Sequence, residues 1–197
     1  DVAGQAIEPV PDFSDAALAE RRQQMRRFQQ RIDDMNVAAW DRASQVDYLA
    51  VRSRLNQEDF ILQISRPWAR DPGFYVDRML RVTFTELPVE GAAKADFLAR
   101  IRAVPILVGE ARKNLDDVAA DYADLAIHNL NNADGVGHGH PYRPTPPAGV
   151  IGWYADLLAR ARDAQPELLP EIEAARSAVV GFERWLRERR PAWQGRA

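Results

Sequence analysis

The sequence predicts an all-α fold: a multi-helix array of about six to eight helices with one long Gly/Pro-rich loop and no significant sheet. Three observations carry this expectation. Apolar residues recur at spacings of three and four through most of the chain. No segment alternates with period two beside β-branched enrichment. Gly, Pro and Asn gather into one long irregular stretch, NNADGVGHGHPYRPTPP. The expected organisation is a single helical unit over 1–197, with an extended lead-in over 1–13 and a loop over 131–149.

The first helix is read from SDAALAERRQQMRRFQQRIDDM, with Ser14 or Asp15 as N-cap. Leu18, Met25, Phe28, Ile32 and Met35 share one face, expected to be core. A second helix spans about Asp41 to Ser65 and carries two apolar stripes, Val46, Leu49, Ser53, Phe60 and Ile64 on one side, Tyr48, Val51, Leu55 and Leu62 on the other. Two stripes call for neighbours on both sides. Asp71-Pro72 supplies a cap followed by a proline at the first helical position, opening a short helix through GFYVDRMLRVTF that Pro88 and Gly91 end. From Ala92, helical phase runs through Phe97, Ile101, Leu107 and Leu115 across Pro105, where a kink or a break between coaxial helices is expected. A short helix follows at Asp121 to Leu130, then the loop. The last helices run from Ile151 to Ala164 and beyond Pro170, where Ile172, Ala175, Val179, Phe182 and Leu186 make a clean stripe.

Composition narrows the chemistry more than it names it. The 197 residues contain no cysteine, which excludes disulfides, thiolate nucleophiles and Cys-based metal sites. A formal charge of -3 gives no field that selects nucleic acid or an anionic surface. Apolar runs stay short of a membrane span, so a soluble chain is expected. The opening DVAGQAIEPVPDFS has no initiator Met, which fits an exported protein with its signal removed or a piece of a longer chain.

Candidate sites are sparse. His138 and His140 in the loop supply two imidazoles, and a zinc site needs three or four donors, so His128, Asp121 and Asp124 on the preceding helix are the available complement. Gly135, Gly137 and Gly139 lack the preceding strand and following helix of a phosphate loop. Asp116-Asp117 starts an aspartate-rich pattern, but position 120 is alanine, so the pair reads as solvated charge. Arg21, Arg22, Arg26, Arg27 and Arg31 form one basic band, and Arg184, Arg187, Arg189 and Arg190 form another beside Trp185 and Trp193. Interleaved Glu20, Asp33, Asp34, Glu183 and Glu188 cancel most of that charge, which argues against a nucleic-acid partner. No serine sits in G-x-S-x-G, and H-E-x-x-H is absent from the sequence.

The succession DYLAVRSRLNQEDF, RPWARDPGFYVD, FLARIRAVPILVGEARKNL and AARSAVVGFERWLRERRPAW resembles the N-terminal half of the bacterial domain-of-unknown-function 885 family, helical proteins regarded as zinc-dependent, peptidase-like hydrolases. The matching positions are Asp47 and Tyr48 before Leu55, Trp68, Asp71-Pro72 with Tyr75, Ile101 with Pro105 and Leu107, and Asn114-Leu115. They look architectural, with Trp68 and Tyr75 filling a helix junction. The resemblance implies that catalysis and zinc belong to an H-E-x-x-H half outside this chain, in cis or as a second chain, and that no catalytic residue or cofactor is held here. This chain would then form scaffold and one wall of a substrate cleft, with His140, Tyr142 and Arg143 reaching toward a peptide. It would also expose more apolar surface than a free monomer tolerates. The alternative is a free-standing helical module that binds a protein or peptide without catalysis.

Overall fold

The structure, a computed structural model, describes residues 12–132, 143 and 145–194, and among these residues it is all-helical, with no strand. Two compact units divide the chain, a smaller one at Asp12–Pro67 and a larger one beginning at Trp68.

In the smaller unit, α1 (Asp15–Asp33) and α2 (Arg42–Phe60) pack as a helical hairpin. Each begins at a side-chain cap. Ser14 Oγ accepts from the Ala17 amide at 3.3 Å, and Asp41 Oδ1 accepts from the Ser44 amide at 3.1 Å, satisfying N–H groups that the first turn leaves without intrahelical partners. Beyond Phe60 the chain widens into a π-helical turn, Ile61–Ser65, and stops at Arg66, whose φ of 40° is left-handed and ends the helix.

The core of this unit is thinner than its apolar pattern suggests. Leu18 and Met25 of α1 are buried, but Phe28 is 48% exposed and Met35 38%, which corrects the expectation of one continuous core face. Tyr48 and Leu55 are only half-buried, Leu62 is buried, and α2 proper has no buried residue. The stripe of Val46, Leu49, Phe60 and Ile64 stays open, which corrects the expectation of neighbours on both sides of α2.

In the larger unit, α3 (Pro67–Arg70) leads into α4 (Gly73–Arg81), which opens as the Asp-Pro pair requires: Asp71 Oδ1 accepts from the Gly73 amide at 2.7 Å. α5 (Gly91–Asn114) packs along α8 (Leu169–Arg189), α7 (Gly149–Ala164) packs on α8, and α6 (Ala120–Asn131) lies against α7 and α4. The core fully encloses Met79, Phe97, Ile101, Leu130, Leu157, Ile172, Phe182 and Leu186. Its two buried tyrosines are satisfied. Tyr154 donates to the Met79 carbonyl at 2.8 Å and Tyr75 to the Trp68 carbonyl at 3.0 Å.

Pro105 neither breaks α5 nor separates two helices. The helix is continuous, because Pro105 and Ile106 lie on the solvent side while Val104, Leu107 and Val108 are buried, so packing on the opposite face holds the helix through the missing amide. The segment between α4 and α5 is clasped by Gln165, whose amide donates to the Val89 carbonyl at 2.9 Å and accepts from the Val89 N–H at 2.7 Å. No helix among the described residues is long and apolar enough to cross a membrane.

Candidate functional site

Three of the residues matched by the resemblance, Trp68, Tyr75 and Asn114, meet at one junction in the larger unit, whereas Asp47, Tyr48 and Leu55 belong to the smaller one. Trp68 is 5% exposed and Tyr75 fully buried; Asn114 Nδ2, from the end of α5, donates to the Tyr75 hydroxyl at 3.0 Å. Burial pushes the Tyr75 phenol up to about 12, so it stays a neutral donor. Burial also raises the Asp71 carboxyl. The geometry is that of a helix junction held by a satisfied polar group.

Of the loop residues singled out from the sequence, His140 and Tyr142 lie outside the described residues, as do His138 and the three loop glycines. Arg143 is described, and its guanidinium is committed to Asp156 of α7: Nε donates to Oδ1 at 2.6 Å and Nη2 to Oδ2 at 3.0 Å. Asp156 is shared. Arg160, one turn on, donates from Nε to Asp156 Oδ2 at 2.7 Å and from Nη1 and Nη2 to the Thr85 and Thr83 carbonyls, both at 2.6 Å. Burial pushes Asp156 upward, but hydrogen bonds from Arg143 and Arg160 outweigh it and hold the carboxyl below its ordinary range. The network fixes the end of the loop to α7 and to the chain after α4. Nothing in the local sequence foretells it, because Thr83 and Arg160 are joined only by folding.

The proposed metal complement on α6 is spread over a solvent face. His128, Asp121 and Asp124 are exposed. The His128 ring contacts the Asn132 amide at 3.3 Å, and Asp124 is gripped by Arg190, with both contacts at 2.6 Å. Among the described residues no three His, Asp or Glu side chains gather closely enough to hold a metal ion. The other polar candidates have local work as well. Asp117 pairs with Arg70 at 3.5 Å, Arg187 pairs with Glu183, and Arg189 lies over the Trp185 ring at 5.9 Å. Ser14 and Ser44 serve helix starts.

The most distinctive surface is on the hairpin. Among the described residues, eight of the ten exposed large apolar side chains fall within 12–67. Four of them, Val46 at 59%, Leu49 at 60%, Phe60 at 56% and Ile64 at 60%, belong to the one stripe of α2 that α1 does not cover. Ile64, four residues beyond Phe60, lies within the π turn. Beside the stripe, Gln29, Ile32 and Asp33 of α1 and Arg52, Leu55 and Asn56 of α2 line a shallow cleft of about 190 Å³. The apolar periodicity of this stripe was visible in the sequence; its exposure was not.

Comparison of the chain with protein-family models, with curated proteins and with solved structures finds no match in any of the three.

Proposed function

We propose that this chain is a helical interaction module, in which the larger unit is a rigid scaffold and the α1–α2 hairpin carries a surface that another protein surface covers. The observation that carries this reading is the α2 stripe. Four large apolar side chains in one line, each more than half exposed, form two apolar pairs, Val46 with Leu49 and Phe60 with Ile64, whose surface water disfavours by roughly 25 cal/mol per Å². A helix laid along such a stripe uses anchors three or four residues apart, the spacing within each pair. A photoreactive side chain placed at Phe60 in the native cell tests it. The expected result is a discrete protein adduct from position 60 and none from the exposed Gln30 of α1. No adduct from position 60, or equal yields from both, overturns the reading.

A second reading rests on the resemblance: the partner is the H-E-x-x-H half of a peptidase-like hydrolase, in cis or as a second chain, with zinc and peptide bound there. The junction of Trp68, Tyr75 and Asn114 favours it, since three of the matching positions do one architectural job together. Its test is the intact mass of the polypeptide as its native cell makes it. A mass well above 22.2 kDa, with H-E-x-x-H in the additional sequence, is the expected result. A mass equal to it removes the in-cis form. The purified 22.2 kDa chain is expected to show neither peptide hydrolysis nor stoichiometric zinc.

A further inference from the structure

We infer that the surface covering the α2 stripe is a second copy of this chain, docked α2 against α2 in antiparallel sense about a twofold axis that passes beside Leu55. This deepens the interaction-module reading and rests on it.

The stripe is self-complementary in a way that a surface meant for an unrelated partner need not be. A twofold interface uses the same patch twice, so every residue must find a suitable mate at the mirrored position along the helix. Here the mates are all suitable. Val46 faces Ile64, Leu49 faces Phe60, and Ser53 faces Asn56, each pair lying within one residue of equal distance from the same point. Apolar pairs at both ends enclose a central Ser–Asn layer. One polar layer of this kind fixes register and orientation in paired helices, at some cost in stability.

Charge supplies an independent argument. Arg52 and Asp59 flank the stripe along one edge, seven residues apart, and neither makes an ion pair among the described residues. Being two turns apart on one helix they do not reach each other. The antiparallel twofold axis brings the Arg52 of each copy to the Asp59 of the other, giving two symmetric pairs. A parallel arrangement sets Arg52 opposite the neutral Gln57 and leaves Asp59 beside the apolar Ile64. The observed charges therefore select the antiparallel form.

Sedimentation equilibrium on the full chain over a concentration series tests the proposal. A reversible dimer is the expected species. Leu49→Glu, at an exposed position, is expected to keep the helical circular dichroism of the parent and weaken dimerisation by about a hundredfold. Arg52→Asp and Asp59→Arg are each expected to weaken it by about tenfold, and the two together to restore it, since the swap rebuilds both pairs. A chain that is monomeric at every concentration, a dimer indifferent to Leu49→Glu, or a charge swap that fails to restore pairing overturns the inference. The cross-link at Phe60 separates its failure from that of the underlying reading. An adduct of twice the chain mass supports both, an adduct of another mass overturns self-pairing alone, and no adduct overturns both.

Discussion

Gly149 shows how one residue can fix the meeting of two helices. Its φ of +62° is left-handed, and a Cβ built there would stand 2.5 Å from the carbonyl carbon and oxygen of Leu130, where α6 ends and α7 begins. Both the dihedral and the space demand glycine, so Gly149→Ala is expected to cost about 3 kcal/mol, measured as a fall in the unfolding free energy with helix content retained. Two titrating groups give predictions of opposite sign. Tyr75 is raised from 10.0 to about 12, so its buried neutral form contributes stability fully present below about pH 10 and lost as pH rises toward 12. Tyr75→Phe removes the hydroxyl and is expected to flatten that alkaline decline in thermal midpoint. Asp156 is lowered below 3.8, so its contribution is present above about pH 4 and lost as pH falls through the folded value. Asp156→Asn is expected to cost about 2 kcal/mol at neutral pH and to flatten the acid limb below about pH 4. The caps at Ser14 and Asp71 were legible as residue types in sequence, because capping is local. The grip of Arg160 on the Thr83 and Thr85 carbonyls was not, since it joins positions more than seventy residues apart.

Helices were legible wherever packing agreed with periodicity. The stripe of Ile172, Ala175, Val179, Phe182 and Leu186 reads as a core face and is fully buried along α8. In α5 the proline does not separate two helices. Phase continued through Pro105, and the fold continued with it, because the buried face opposite outweighs one lost amide. Pro105→Ala restores a donor toward Ile101 and a better helix former, and is expected to stabilise by about 1–2 kcal/mol, read from chemical unfolding. α2 is the reverse case. Its apolar positions have the right spacing for burial, yet Val46, Leu49, Phe60 and Ile64 lie open, and Phe28 and Met35 of α1 are likewise uncovered. Spacing states which residues share a face; it does not state whether anything lies against that face.

At the level of the whole molecule, the buried apolar residues are divided unequally between the two units. Within 12–67 they are Phe13, Leu18, Met25 and Leu62, whereas the larger unit encloses aromatic and aliphatic side chains from α4 through α8. A single helical hairpin with four buried apolar residues has too little apolar burial to offset the entropy of ordering its chain. A peptide spanning 12–67 is therefore expected to show weak, concentration-dependent helicity, whereas residues 67–197 are expected to keep a cooperative thermal transition. Circular dichroism on the two pieces checks both. The sequence by itself determined the helical class, the approximate helix limits, the caps and the absence of cysteine chemistry, since these depend on local propensity and on residue types that are simply present or missing. Only the tertiary structure decided which stripes are core and which are surface, that Pro105 is tolerated, and that Arg143 and Arg160 converge on Asp156. Burial and long-range polar contacts belong to pairs of segments, and a pattern within one segment does not carry the identity of its neighbour.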